Sequence, residues 1–190
     1  VISMELISKK IKIENIIKSI MLVILGTIII TISAKIKIPF YPVPMTMQTF
    51  VILLLGISLG RKMGLAIVTL YLLEGIFGLP VFANSPEKGT GIIYFTGPTM
   101  GYLIGFLIAI YFAGSFKFDK GMLNTFLKLI VSVSFIYILG SIWLGILIGW
   151  DKPIFKIGVQ PFLLAELFKI LLLLFLTPKL LKVKKLLKIS

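Results

Sequence analysis

Residues 45–77 read MTMQTFVILLLGISLGRKMGLAIVTLYLLEGIF, two apolar runs separated by Gly60-Arg61-Lys62. Each run is shorter than the roughly 20 residues of an ordinary membrane-spanning helix. A glycine followed by two charged residues interrupts both apolar runs and is typical of a polar turn. The stretch therefore predicts two short antiparallel membrane helices, at 45–59 and 63–77.

Four longer apolar runs flank this pair, at 16–33, 97–116, 123–150 and 160–177. The chain of 190 residues is 58% hydrophobic, whereas soluble domains average about 45–50% apolar residues. We therefore predict an all-α integral membrane protein with six transmembrane helices. The whole chain, 1–190, is then a single transmembrane domain embedded in the lipid bilayer.

The composition excludes several classes of function. Cysteine and histidine are both absent, which removes thiolate nucleophiles, imidazole bases and the common zinc and haem ligands. We predict no metal, no cofactor and no catalytic residue. The formal net charge of +13 is compatible with nucleic-acid binding, but the basic residues lie at span ends and tails, so we expect no nucleic-acid partner.

The basic residues also predict the orientation. One side of the predicted bundle holds Lys9, Lys10, Lys12, Lys18, Arg61, Lys62, Lys117, Lys120, Lys179, Lys182, Lys184, Lys185 and Lys188. The other side holds Lys35, Lys37, Lys88, Lys152 and Lys156. Because the side richer in Lys and Arg stays in the cytoplasm, we predict a multi-pass protein of the cell membrane with both termini cytoplasmic.

Three connections then face outward. Residues 34–44 contain three prolines, which exclude an ordinary helix, and the alternation of Ile36, Ile38 and Phe40 predicts a partly extended segment. Residues 78–95, GLPVFANSPEKGTGIIYF, form a long aromatic loop with several glycines, which is typical of a lid. Residues 151–159 form the third connection.

Small residues recur every fourth position in the fourth span. The stripe comprises Gly97, Gly101, Gly105, Ala109 and Ala113, and such stripes let neighbouring membrane helices approach closely. Two further pairs repeat the pattern, Gly56 with Gly60 and Gly145 with Gly149. We predict that they pack helices inside the protein; a contact between subunits is the alternative.

Glu166 and Lys169 lie within the apolar run 160–177. A charged side chain at the centre of a bilayer costs roughly 2.5–3.5 kcal/mol even on the most permissive scale. Residues three apart share one helix face, so both side chains can point into the protein. They form either an inert pair that packs helices or a pair that binds a polar solute, and the second reading is favoured because ionisable residues in membranes are usually functional.

Other candidate binding residues lie near the outward side of the spans. They are Thr46, Gln48, Phe82, Asn84, Tyr94 and Tyr102. A few polar groups against an apolar, aromatic wall is the usual composition of a small-molecule site. Tyrosines at span ends can also be plain anchors at the membrane interface.

Five segments in the same order carry a family resemblance. They are IPFYPVPMTMQTF (38–50), LYLLEGIFGLPVFA (70–83), FTGPTMGYLIGF (95–106), YILGSIWL (137–144) and PFLLAELFK (161–169). Together they resemble the BioY family, the biotin-specific substrate-binding (S) components of energy-coupling factor (ECF) transporters. One departure concerns Leu164-Ala165-Glu166, where the family commonly has Pro-Gly-Asp.

The resemblance implies an S-component fold and high-affinity capture of biotin from outside for uptake. It also implies a coupling transmembrane protein and ATPase subunits as partners. Glu166 could accept a hydrogen bond from a ureido N–H of biotin, and Lys169 could donate to the ureido carbonyl or to the carboxylate.

Two other functions stay open: an S component for another vitamin, and a small intramembrane enzyme using Glu166 with Lys169. The sequence shows no set of nucleophile, base and orienting residue, so we predict that the protein is not an enzyme.

Overall fold

The computed structural model of the protein describes residues 2–39 and 41–187, with side chains from Ile13 onward. The helices are α1 (Ile2–Lys35), α2 (Gln48–Ile76), α3 (Met100–Ser115), α4 (Gly121–Ile148), α5 (Ile154–Gly158) and α6 (Leu163–Leu186). Two short strands, β1 (Lys37–Ile38) and β2 (Met45–Thr46), pair antiparallel, and two 3₁₀ turns cover Gly91–Thr96 and Gln160–Phe162. Phe40, Lys188 and the side chains of Lys9, Lys10 and Lys12, which entered the predictions above, lie outside this description.

Helix α2 is a hairpin of two arms, as the sequence predicts. Gly60 breaks its helical geometry with φ 77° and ψ 172°, a conformation that glycine adopts without the steric penalty of a side chain. Gln48 Nε2 then lies 2.8 Å from the Tyr71 hydroxyl, although residues this far apart in a straight helix would be separated by about 35 Å. The arms 48–59 and 61–76 are therefore antiparallel, and the predicted turn is confirmed.

The two arms of α2 pack with α1, α3, α4 and α6, so that the bundle has six helical segments. By length and composition, four helical segments within the described residues could cross a membrane: Ile13–Lys35, Gln48–Ile76, Gly121–Ile148 and Ile154–Leu186. In α2, 67% of the apolar window is buried inside the protein, against 22% in α1. The α2 hairpin therefore forms the centre of the bundle, whereas most of the surface of α1 is exposed on the outside of the protein.

The predicted boundaries need three corrections. Met45 and Thr46, placed in the second span, belong instead to β2, because they pair with Ile38 and Lys37 of β1. The fourth span begins at Met100 and not at residue 97, since the Gly97 backbone is extended. The last helix begins at Leu163 and continues to Leu186.

The small-residue stripe of α3 packs helices inside the protein, as predicted. A Cβ atom at Gly105 would lie 2.6 Å from the Ile136 Cα on α4, and one at Gly56 would lie 2.8 Å from the Ala113 Cβ. The prediction is wrong for Gly149, which adopts positive φ and serves as a turn residue at the end of α4. Gly60 is also a turn residue with positive φ, but its backbone packs closely against Gly114 of α3.

The bundle has two chemically distinct ends. At one end, a Cβ atom at Gly60 would lie 3.3 Å from Lys184 Nζ, and Lys18 Nζ donates to the Leu187 carbonyl at 3.3 Å. Arg61, at the α2 turn, packs against Gly114 at the end of α3. At the opposite end, the strand pair, the loop 78–95 and the start of α6 come together. We call these the basic end and the loop end.

Candidate functional site

A narrow cavity lies inside the loop end. Its volume is about 50 Å³, enough for a few water molecules at ~10–15 Å³ each. The lining residues are Val43, Pro44, Met45, Thr46, Gln48, Thr49, Ala83, Tyr94, Thr99, Tyr102, Leu103, Phe106, Ile136, Tyr137, Phe162, Glu166 and Lys169. The wall is apolar and aromatic on most sides, and its charged groups come from α6 alone.

Glu166 and Lys169 form a buried ion pair in this wall. Lys169 Nζ lies 2.7 Å from Glu166 Oε1, with the side chains 9% and 7% exposed. Thr49, across the cavity wall on α2, donates its hydroxyl to the same Oε1 at 2.7 Å and accepts from Lys169 Nζ at 3.0 Å. Lys169 Nζ also donates to the Thr46 carbonyl at 2.7 Å.

This cluster leaves one hydrogen-bonding atom unused. An ammonium group has three N–H donors, and those of Lys169 have three acceptors: Thr46 O, Thr49 Oγ1 and Glu166 Oε1. Glu166 Oε1 receives two donors, whereas Glu166 Oε2 is buried and has no hydrogen-bond partner among the described residues. The Tyr137 hydroxyl lies beside the Glu166 carboxylate, close enough for a weak side-chain hydrogen-bonding interaction, but it does not reach full hydrogen-bond geometry with Oε2. The atom of this cluster that lacks a hydrogen-bond partner is therefore an acceptor, the Oε2 oxygen of Glu166.

The local sequence explains where the pair sits. Pro161 lies in a 3₁₀ turn and α6 begins two residues later, which places Glu166 in the first helical turn. A carboxylate is favoured at a helix N-terminus by the helix dipole. Lys169 follows on the same face, so both groups point into the bundle near the start of α6 and not deep along it.

A second polar chain runs behind the cavity. The Thr46 hydroxyl donates to Gln48 Oε1 at 3.2 Å, and Gln48 Nε2 donates to the Tyr71 hydroxyl at 2.8 Å. The Tyr71 hydroxyl in turn donates to the Val81 carbonyl at 3.1 Å. Because Val81 belongs to the loop 78–95, this chain connects the α2 hairpin to that loop.

Two tyrosines close other parts of the wall. The Tyr102 hydroxyl donates to the Gly158 carbonyl at 2.8 Å, which fixes the link between α4 and α6. The Tyr94 hydroxyl accepts from the Asn84 backbone N–H at 3.2 Å. Burial raises the pKa of the Tyr94 hydroxyl above its usual value, so this group stays neutral at physiological pH.

Two lysines hold the loop 78–95 in place. Lys35 Nζ, at the end of α1, donates to the Phe82 and Ser85 carbonyls, each at 2.7 Å. Lys37 Nζ, on β1, donates to the Ala83 carbonyl at 2.6 Å and to Asn84 Oδ1 at 3.2 Å. The loop therefore packs against α1 and β1 beside the cavity. Its opening and closing as a lid stays a prediction.

Six of the eight predicted site residues meet at the cavity: Thr46, Gln48, Tyr94, Tyr102, Glu166 and Lys169. Phe82 does not line it; its ring is buried behind the wall, 4.7 Å from the Tyr94 ring centroid and 5.4 Å from that of Tyr71. Asn84 lies outside, because Lys37 holds its side chain in a separate surface pocket. Contact between any of these residues and a ligand stays a prediction.

The sequence reasoning missed Thr49, Tyr71 and Tyr137. Thr49 follows Thr46 by three residues and lies next to Gln48, so its position beside two predicted site residues could have revealed it. For Tyr71 and Tyr137 the sequence carries no such signal, since an aromatic residue in an apolar helix is ordinarily part of the core.

A wider groove, of about 500 Å³, runs between α4 and α6 and shares Glu166 and Tyr137 with the cavity. Its other lining residues are mainly apolar, and Phe155, Leu163 and Leu167 expose their side chains there. Such a surface fits the hydrocarbon chains of a bilayer. The polar groups converge in the narrow cavity instead, which makes that cavity the candidate site for a polar solute.

Comparison with known proteins agrees with this architecture. The sequence pattern of the BioY family matches residues 6–186. The chain is 36% identical to the probable biotin transporter BioY of Pyrococcus horikoshii over 152 residues, covering 80% of this chain and 89% of that protein. It is also 36% identical to the biotin transporter BioY of Thermotoga maritima, over 76% of this chain and 84% of that one.

A solved structure has the same fold. The crystal structure of the S-component for biotin from an ECF-type ABC transporter superposes with a TM-score of 0.74 at 25% sequence identity. The match covers 89% of this chain and 93% of the other. With the sequence pattern, the relatives and the fold in agreement, this multi-pass membrane protein belongs to the BioY family.

Proposed function

We propose that the protein is the biotin-binding S component of an ECF-type transporter and captures biotin from outside the cell. The observation that carries this proposal is the Glu166 carboxylate, which lines an apolar, aromatic cavity and has a buried oxygen, Oε2, without a hydrogen-bond partner among the described residues. The names of its relatives as biotin transporters, and the likeness to the S-component for biotin, support the same ligand.

Biotin matches the chemistry of this cavity. Its ureido ring offers two N–H donors, and Glu166 Oε2 can accept one of them. Its thioether ring and valeryl chain are apolar, as are Leu103, Phe106 and Ile136 in the wall. Since the cavity volume is only about 50 Å³, we expect the bordering segments 41–44 and 78–95 to move apart when the ligand enters.

Thermal unfolding in the presence of single vitamins tests the ligand. A ligand present at 100 times its dissociation constant stabilises the folded state by about 2.7 kcal/mol. We expect biotin to raise the melting temperature of the purified protein, and thiamine, riboflavin and pantothenate to leave it unchanged. Stabilisation by another vitamin alone would instead identify an S component for that vitamin.

Biotin is also expected to slow amide hydrogen exchange in residues 78–95 if that loop acts as a lid. The α3–α4 connection at the basic end serves as an internal control, because it lies far from the cavity. Equal exchange with and without saturating biotin would exclude the lid without excluding biotin binding.

We further propose that the basic end faces the cytoplasm, which places both termini inside and the cavity outside. The support is the gathering of Lys18, Arg61 and Lys184 at one end of the bundle, because cytoplasmic loops are enriched in Lys and Arg. The cavity then opens to the side from which a scavenged vitamin arrives.

Single-cysteine labelling tests this orientation, because the chain has no cysteine of its own. Glu87→Cys, in the exposed part of the loop 78–95, should react with a membrane-impermeant maleimide on intact cells. Asp119→Cys, in the exposed α3–α4 connection, should react only after the cells are opened. Two serines are less suitable positions for the cysteine: the Ser85 side chain is buried, and Ser190 lies outside the described residues. Labelling of Asp119→Cys on intact cells would reverse the proposed orientation.

We propose a coupling transmembrane protein and ATPase subunits as partners, which is what an S component of this family implies. The structure with the matching fold comes from an ECF-type ABC transporter, which supports this assignment. Purification of the tagged chain from its native membrane in mild detergent should recover both kinds of subunit, and recovery of neither would indicate that it acts alone.

A further inference from the structure

We infer that Thr49 is a positioning residue: its hydroxyl holds Glu166 Oε1 against Lys169, and so keeps Glu166 Oε2 free as the acceptor that selects a ligand presenting an N–H donor. The inference rests on the proposed function, because it names the chemistry that the same cavity recognises. It concerns a residue that does not itself need to touch the ligand.

The geometry joins three side chains in a closed triangle. Thr49 Oγ1 lies 2.7 Å from Glu166 Oε1 and 3.0 Å from Lys169 Nζ, and Nζ lies 2.7 Å from the same Oε1. The hydroxyl donates its one hydrogen to the carboxylate and accepts from the ammonium with a lone pair. Both roles of the hydroxyl are therefore filled.

Thr49 differs from most other hydroxyl residues on these helices. Thr27 also lies 3.0 Å from a carboxylate, that of Glu74, but it has the Ile24 carbonyl of its own helix at 2.9 Å as well. The side chains of Ser33, Ser58, Ser132 and Thr177 donate to carbonyls three or four residues earlier in their own helices. Thr49 is the second residue of α2, so no turn of that helix precedes it to offer a carbonyl. Its hydroxyl reaches α6 instead. As a β-branched residue, it is also stiff about χ1, which keeps the hydroxyl directed at the pair.

Hydrogen-bond counting shows what the hydroxyl contributes. With Thr49 in place, Glu166 Oε1 has two donors and all three Lys169 protons are used, so Oε2 is the one atom of the pair left to act on a ligand. Without the hydroxyl, Lys169 has a spare proton and Oε1 loses a donor. The carboxylate can then turn so that both of its oxygens share the ammonium, which removes the free acceptor.

A comparison of two substitutions with two ligands tests this role. The variants are Thr49→Val, which keeps the shape and removes the hydroxyl, and Thr49→Ser, which keeps the hydroxyl. The ligands are biotin and its cyclic carbonate analogue, in which an oxygen replaces each ureido N–H. Binding is measured by calorimetry on folded protein in the same detergent.

We expect Thr49→Val to weaken biotin binding about 10- to 100-fold, the effect of losing one hydrogen bond to a charged group, and Thr49→Ser to bind within about 3-fold of wild type. The carbonate analogue should bind wild type far more weakly than biotin does, and Thr49→Val should shrink that preference by a similar factor. Thr177→Val is the matched control, because Thr177 is a buried threonine of α6 that bonds within its own helix and lies outside the cavity.

Unchanged preference for biotin over the carbonate in Thr49→Val would overturn the inference, whether biotin affinity falls or not, because a general packing role would weaken both ligands equally. If Thr49→Val does not fold, the same comparison is made with Thr49→Ala. If the preference is unchanged in Thr49→Val while the wild-type protein binds biotin, only the role assigned to Thr49 is wrong. Wild type that does not bind biotin at all would overturn the proposed function together with it.

Discussion

Replacement of Glu166 by alanine is expected to weaken biotin binding by about 2–5 kcal/mol, the usual cost of removing one member of a buried, hydrogen-bonded charge pair. The carboxylate lost would be the acceptor for the ureido N–H. Its removal would also leave the Lys169 ammonium, whose side chain is 9% exposed, without its counter-charge. At 25 °C this loss corresponds to roughly a 30-fold to several-thousand-fold rise in the dissociation constant.

Graded substitutions separate the charge from the acceptor geometry. Glu166→Asp keeps the carboxylate and should cost much less than Glu166→Ala, while Glu166→Gln keeps the shape and loses the charge. Asp151→Ala is the matched control, since Asp151 pairs with Lys152 on the exposed surface and exposed pairs contribute about 0–1 kcal/mol at most. Titration calorimetry that gives wild-type affinity for Glu166→Ala would remove Glu166 from the site.

Replacement of Lys169 by methionine is expected to weaken biotin binding by a similar 2–5 kcal/mol, but for a different reason. All three protons of its ammonium hold protein acceptors: Thr46 O, Thr49 Oγ1 and Glu166 Oε1. Lys169 therefore acts chiefly by balancing the charge of the Glu166 carboxylate and holding it in place. Its loss would strand a buried carboxylate, which typically costs about 3–5 kcal/mol of folding stability.

The stability effect gives this prediction a second readout. Lys169→Met should lower the melting temperature of ligand-free protein, and the added change Glu166→Gln should restore much of it, because the stranded charge is then gone. Lys152→Met, which removes the lysine of the exposed pair, should change neither affinity nor melting temperature. Additive losses in the double variant would mean that Lys169 and Glu166 act independently, contrary to the geometry described here.

The same variants test whether Lys169 contacts biotin directly. A contact with the ureido carbonyl or with the carboxylate, as the sequence resemblance implies, requires Lys169 to release Thr46 O or Thr49 Oγ1. In that case Thr49→Val would free a proton for the ligand and strengthen the interaction with the ligand carbonyl. The positioning role instead expects a loss of affinity.

The membrane architecture could be predicted because it depends on local properties of the chain. A bilayer demands helices of a minimum apolar length and internal satisfaction of the backbone, and both demands are visible in runs of apolar residues. The turn at Gly60 and the packing of Gly101 and Gly105 follow from glycine's lack of a side chain, which is equally local. The predicted helix ends were less accurate, because Met45 and Thr46 belong to a strand that pairs with residues seven and nine positions earlier.

The charged members of the candidate site could also be predicted, because a Glu and a Lys in an apolar run are too costly in a membrane to be accidental. Phe82 and Asn84 show the opposite case. Both were expected at the cavity, yet Phe82 packs into an aromatic core and Asn84 is held by Lys37. Both residues were predicted to line the cavity because they lie in a loop next to it in the sequence. The path of such a loop depends on its contacts with distant elements, which the sequence does not reveal.

Apolar length, turn residues and the i, i+3 spacing act over a few residues, so they were enough to predict a membrane bundle with a buried charge pair at the start of its last helix. Which atom of that pair lacks a partner depends instead on how distant helices pack. Thr49 and Glu166 are 117 residues apart, and no local pattern states that a hydroxyl from α2 meets a carboxylate from α6. That meeting depends on helix packing, and it leaves Glu166 Oε2 without a hydrogen-bond partner among the described residues.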